Sequence, residues 1–189
     1  MNARMLWRSA PLALAIAAMA PSVAHADGTI RIPGDHPDYH VDIEPHGVLA
    51  VGFDGFDGIF GFGGGVRFSI PVCKNCFIPR INNNVAITFG ADFAYYPFPN
   101  NYQPTFLFLP VALQWNFFVD KKWSVGPEVG FTPWFGLYNY AVCDGNGCHN
   151  WELWPSIAAV GRYHFNQKVA LTMRLGFPEF FNIGVSFWL

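Results

Sequence analysis

A few residues in this chain could do chemistry, and each set has a plainer reading. Cys73 and Cys76 form a C-x-x-C pair in "CKNCFIPRINNN". A redox dithiol needs such a pair at the start of a helix that follows a strand. Here it falls in a turn between two strand-like stretches. A zinc site needs two further ligands, and none lies nearby in the sequence. Cys143 and Cys148 bracket "DGNG". In an exported chain both close pairs read as local disulfides. The segment "DHPDYHVDIEPH" gathers His36, His40 and His46 with Asp35, Asp38, Asp42 and Glu44. Those are ligand types for a divalent metal, but a solvated segment is the plainer reading. "FDGFDG", Phe53 to Gly58, has calcium-loop residues without the EF-hand spacing or its terminal Glu. Turn chemistry accounts for it. His149, Glu152 and Ser156 are the one plausible hydrolase set. A serine nucleophile needs its base and acid within hydrogen-bond reach, and this spacing does not place the three together. The sequence therefore gives no catalytic residue, no cofactor and no resident metal as its expectation.

The first 26 residues, "MNARMLWRSAPLALAIAAMAPSVAHA", have Arg4 and Arg8 before an apolar run and end in Ala24-His25-Ala26. That is the pattern of a cleaved secretory signal peptide. Its apolar run is short of the ~20 residues of a membrane helix. Without it, nine Lys and Arg face thirteen Asp and Glu. No basic patch stands out, which argues against nucleic acid as a partner. Charged residues are 13% of the chain and aromatics 18%, against a usual charged share of about 25%. No later stretch is long enough for a membrane helix. A chain this apolar, without such a helix, can cross a membrane only as a closed β-barrel, because open sheet edges cannot be satisfied in lipid.

Alternation with a period of two carries the strand assignments. After a Pro-rich arm over 27–39, strands are expected at about 40–53, 59–72, 85–96, 105–118, 123–137, 153–164, 169–176 and 181–189. "VAITFGADFAYY", Val85 to Tyr96, splits into an apolar list and a small or polar list that includes Asp92. "VDKK" and "FNQK" are tight turns, and the longest connection runs from Tyr138 to Trp151. The fold class predicted is all-β, an eight-stranded transmembrane antiparallel up-and-down barrel over 40–189.

The composition of the two faces says which way they point. A water-facing face would be rich in Lys and Glu. These polar faces are rich in Gly, Ala, Ser and Thr with widely spaced charges, which suits the cramped interior of an eight-stranded barrel. The other faces carry large apolar residues in every strand. Aromatics gather at strand ends: Tyr95, Tyr96 and Phe98; Trp115, Phe117 and Trp123; Phe135 and Tyr138; Tyr163 and Phe165. Such clusters match the aromatic girdles of membrane barrels. The inward faces then carry Arg67, Asp92, Glu128, Arg162 and Arg174 as a lumen charge network. Glu128 is expected to take at least one arginine, with Arg174 the candidate partner of Asp92. The excess positive charge would be met by water or by Ser and Thr hydroxyls.

These features together resemble the small bacterial outer-membrane barrels of the OmpA/OmpX type, over nearly all of the chain after the leader. The resemblance is architectural. Its most specific element is the last strand, where Phe181, Ile183, Val185, Phe187 and Leu189 alternate as an assembly signal. The class usually ends in an aromatic, and this chain ends in Leu189. The resemblance implies both termini in the periplasm, short turns there and longer loops outside. It implies outer-membrane lipid and the barrel-assembly machinery as partners. The long connection from Cys73 to Asn84 departs from that pattern. Expected on this basis is a non-enzymatic outer-membrane protein of the Gram-negative cell envelope. Its role would be structural, surface-loop binding of an extracellular ligand, or porin-like small-solute passage. A lipid A-modifying enzyme and a soluble lipocalin-like carrier are the alternatives.

Overall fold

The computed structural model describes residues 28–51, 60–97, 104–138, 142–144 and 147–189. The leader, the Phe53 to Gly58 loop and Asn146 lie outside the described residues. The strands are β1 (Asp42–Val51), β2 (Phe60–Lys74), β3 (Asn83–Tyr95), β4 (Thr105–Phe108), β5 (Val111–Phe118) and β6 (Trp123–Tyr138). They continue with β7 (Val142–Asp144), β8 (Gly147–His149), β9 (Trp151–His164), β10 (Val169–Phe177) and β11 (Phe181–Trp188). Among the described residues there is no α-helix.

Eight staves form one ring. β4 and β5 are two halves of a single stave, and both pair with β3 on one side and β6 on the other. The break between them falls at Leu109 and Pro110, inside the stretch expected as one strand. Pro110 has no N–H to give to the ladder. Leu109 N–H donates instead to the Pro133 carbonyl at 2.9 Å, and the Pro110 carbonyl accepts from Gly90 N–H at 3.1 Å. The ring closes where β1 meets β11, antiparallel, with Asp42 opposite Trp188 and Leu49 opposite Phe181. Closure leaves no unpaired edge in the sheet. β7 and β8 make a separate small hairpin that sets Cys143 opposite Cys148 in backbone register. The side chains of this second cysteine pair are outside the described residues. Cys73 and Cys76 are joined as a disulfide, with Cα atoms 5.7 Å apart.

Period-two alternation becomes an inverted partition. Outward residues are large and apolar, with Ile157 62% and Phe131 60% exposed. Inward residues are polar, and Asp42 and Asp92 are wholly buried. One end of the ring, the arm end, is crossed by the arm that precedes β1. A short 3-10 turn, Thr29–Arg31, begins that arm. Asn82 N–H donates to the Ile30 carbonyl at 2.8 Å, and Asn82 Nδ2 to the Asp35 carbonyl at 2.7 Å. The Tyr39 ring stacks on Trp188 at 4.4 Å, and both are buried with Phe118. The opposite, loop end of the lumen holds a second apolar cluster of Val48, Ala50, Ala94, Tyr96, Phe106, Phe108 and Trp134.

Two expectations need correction here. Asp42, Glu44 and His46 were expected in a solvated segment. All three are buried, at 0%, 1% and 8% exposure, because they alternate along β1 on its inward face. The connection left between the strands expected at 169–176 and 181–189 carries Glu179, which is not at the surface but buried as well. The excess of positive charge inside is therefore absent: Asp42, Glu44, Asp92, Glu128 and Glu179 outnumber Arg67, Arg162 and Arg174.

Candidate functional site

The middle of the lumen is the densest assembly of functional groups in the described chain. It begins with space. His46 on β1 has Gly65 of β2 and Gly184 of β11 as its lateral neighbours. A Cβ at Gly65 would lie 1.9 Å from Asp92 Oδ1, and one at Gly184 would lie 2.5 Å from the His46 Cβ. Glycine at both positions lets an imidazole and a carboxylate fit in the same layer.

From there the charges run in a chain across the lumen. His46 Nε2 lies 2.7 Å from Asp92 Oδ1. Arg67 Nη2 donates to Asp92 Oδ2 at 2.6 Å and to Glu179 Oε2 at 3.2 Å, while its Nη1 donates to Glu128 Oε1 at 2.9 Å. Glu128 Oε2 accepts from Arg174 Nε at 3.1 Å. Arg174 then clasps Glu44 with both terminal nitrogens, Nη2 reaching Oε2 at 3.0 Å. The Asn182 amide donates to Glu179 from below. Strands β1, β2, β3, β6, β10 and the β10–β11 turn each supply a member of this chain.

A second knot lies nearer the arm end. Arg162 Nη2 reaches Asp42 Oδ2 at 3.3 Å and Gln114 Oε1 at 3.0 Å, and its Nη1 donates to Asn116 Oδ1 at 2.7 Å. Asn116 Nδ2 donates to Asn84 Oδ1 at 2.8 Å, and Asn84 Nδ2 to Tyr39 Oη at 3.3 Å. The polar lumen is thus tied to the apolar plug of the arm. Ser186 Oγ, 3.2 Å from Asp42 Oδ2 and 3.5 Å from Glu44 Oε2, joins the two knots.

All five sequence-predicted lumen charges are inside. Asp92 goes to Arg67 and His46, however, and Arg174 to Glu44 and Glu128, so the pair Asp92–Arg174 does not form. The signals that could have found the missing acids differ. Asp42, Glu44 and His46 lie within the stretch expected as strand one and continue an alternating list with Val48 and Ala50, so the alternation carried through the first half of that strand places them inward. Glu179 lies in a turn, where alternation carries no information.

What this arrangement can do chemically follows from how its charges are paired. Each guanidinium is held by at least one carboxylate across the barrel. The space among Arg67, Glu128, Thr132, Ser156, Arg174 and Glu179 amounts to about 20 Å³, about what one water molecule occupies. The layer is a cross-brace with apolar clusters above and below it. Among the described residues no group of three His, Cys, Asp or Glu is arranged to hold a metal ion. The hydrolase candidates do not assemble. His149 Nε2 is 3.7 Å from Glu152 Oε1, Glu152 Oε2 accepts from Trp154 Nε1 at 2.8 Å, and the Ser156 hydroxyl bonds to neither.

Outside the ring, the arm end has an aromatic rim. Trp115 and Phe117 lie 4.7 Å apart, Trp123 and Tyr163 5.1 Å, and Tyr163 and Phe165 5.3 Å. On the arm itself, Asp38 Oδ1 is 2.6 Å from Lys74 Nζ. The lysine ammonium holds this exposed carboxyl below its ordinary range. Compared with known proteins, the chain matches no family model and none of the curated proteins.

Proposed function

We propose that this chain is an outer-membrane β-barrel whose lumen is sealed, so that it works as a membrane-held scaffold for its loops and not as a channel. The observation that carries this reading is the inverted partition: charges and amides inside, large apolar side chains outside around every stave. A soluble protein rarely exposes a contiguous apolar patch beyond several hundred Å², whereas a lipid-facing band requires one. A soluble carrier of the lipocalin kind would line its cavity with apolar residues, and here the mid-lumen is ionic. The seal is supported by the cross-brace and the two aromatic clusters. The partners of this reading are outer-membrane lipid and the barrel-assembly machinery, with any extracellular ligand engaged by the loop end. No observation favours an enzymatic reading.

The test is refolding. Urea-unfolded protein, diluted into detergent micelles or lipid vesicles, should regain β-structure and run on unboiled gels as a compact, protease-resistant species. In buffer alone it should aggregate. A stable, folded, monodisperse species in buffer without detergent would overturn the reading.

A further inference from the structure

Surface charge is distributed between the two ends of the barrel very unevenly. Among the described residues six basic side chains are exposed, and all six lie at the arm end. Arg31 is in the 3-10 turn, Lys74 and Arg80 flank the disulfide loop, Lys121 and Lys122 form the β5–β6 turn, and Lys168 the β9–β10 turn. The sequence segments that join the strands on the other side, 52–59, 98–104, 139–150 and 178–180, contain no Lys or Arg; they carry Asp54, Asp57 and Asp144, with Glu179 turned into the lumen. Three acids, Asp35, Asp38 and Asp120, share the arm end with the six bases. Asp38 is bound to Lys74, and Asp120 Oδ1 accepts the N–H groups of Lys122 and Trp123 at 2.6 and 2.8 Å. The arm end is a net-positive rim on a chain whose net charge is −2.

The same rim displays an apolar tip. Phe77, just after the Cys73–Cys76 disulfide, is 77% exposed, and Ile78 beside it is 40% exposed. Phe77 has φ of 59°, a left-handed conformation that is costly for a bulky residue. The loop is nonetheless held firmly: Asn75 N–H donates to the Asn83 carbonyl and Ile78 N–H to the Cys76 carbonyl, both at 2.7 Å, and Asn83 Nδ2 ties the Ile78 and Ile81 carbonyls. The Phe77 ring meets the edge of Trp115 at 5.3 Å. Trp115 and Phe117 belong to the outward aromatic rim, so the tip extends the apolar band of the ring.

We propose that the arm end is seated in an anionic phospholipid leaflet. The six bases contact headgroup phosphates, and Phe77 and Ile78 lie just below them at the acyl boundary. This rests on the membrane-barrel reading above and adds the lipid class and the end that meets it. Basic side chains beside an anionic surface and aromatic side chains at the interface are each favourable. A basic rim that merges with an apolar band fits a lipid better than a soluble polyanion, which would leave Phe77 in water. It also accounts for the long Cys73 to Asn84 connection on the side where short turns were expected.

The full chain, refolded into phosphatidylcholine vesicles, would be probed with spin-labelled phosphatidylglycerol and, separately, spin-labelled phosphatidylcholine. The motionally restricted fraction should favour the anionic lipid about fivefold, or about 1 kcal/mol. The preference should fall to near unity in 1 M salt, where the Debye length is about 3 Å. It should fall likewise when Arg31, Lys74, Arg80, Lys121, Lys122 and Lys168 are all changed to Gln. The salt titration on the wild type decides the matter if that variant does not fold. Equal association of both lipids overturns this proposal and leaves the barrel reading intact. No restricted component for either lipid overturns the barrel reading itself. Phe77→Gly tests the tip, since it relieves the backbone while removing the ring. Its urea midpoint in phosphatidylglycerol vesicles should drop. An unchanged or raised midpoint would show that Phe77 does not anchor the rim.

Discussion

Glu128 is the residue on which the cross-brace turns, because it holds Arg67 with one oxygen and Arg174 with the other. Glu128→Ala should destabilise the barrel by about 3 kcal/mol, the low end of the cost of breaking a buried pair. The low end applies because Arg67 keeps Asp92 and Glu179, and Arg174 keeps Glu44. Urea unfolding in micelles would measure it, and a change below 1 kcal/mol would mean the network does not act as a brace. Gly65→Ala is a second check. The added Cβ meets the Asp92 side chain and, at 2.5 Å, the Ala91 carbonyl oxygen, so backbone must move. A loss of about 1–3 kcal/mol is expected, and an unchanged midpoint would argue against close packing in that layer. At this scale the sequence was informative about residue type and silent about partners. Arg67 and Asp92 are inward by alternation alone. That they pair, while Arg174 goes elsewhere, depends on which strands face each other across the lumen and at what depth.

For the elements, alternation was a sufficient guide wherever one list was apolar throughout, as in Val85 to Tyr96 and Val169 to Leu175. It failed where apolar residues occupy both faces. Phe106, Phe108, Phe118 and Trp188 point inward, opposite the rule that large apolar residues face out, because the two lumen ends are closed by aromatic packing. It also failed at Pro110, where a missing N–H splits a stave that reads as continuous. The last strand is the most consequential single element. Removing Phe187 to Leu189 deletes the pairings of Asp42 with Trp188 and Ile43 with Phe187. It also removes Trp188 from the arm plug. The truncated chain should fail to give the protease-resistant species in vesicles, since both an edge and the plug are opened. Recovery of that species in normal yield would mean the seam is not needed for closure.

Considered whole, the molecule is a ring with an ionic waist and two aromatic closures, and this has electrical and topological consequences. Purified protein in a planar bilayer should show no stable conductance, and a large, steady, water-filled current would contradict the sealed lumen. An epitope inserted at Asn146, between β7 and β8 in the sequence, should be reached by antibody on intact cells. Reaction only after the outer membrane is permeabilised would invert the orientation. The ring also imposes an order in time. β1 and β11 are the earliest and latest barrel strands in the chain, and they are neighbours, with the Leu189 carbonyl accepting from His40 N–H at 2.6 Å. Every other neighbouring pair can form as soon as both strands exist. This pair must wait until β11 has been delivered. A polypeptide halted before β11 is an open ribbon, and β11 acts as a check on the barrel that no product lacking it can pass.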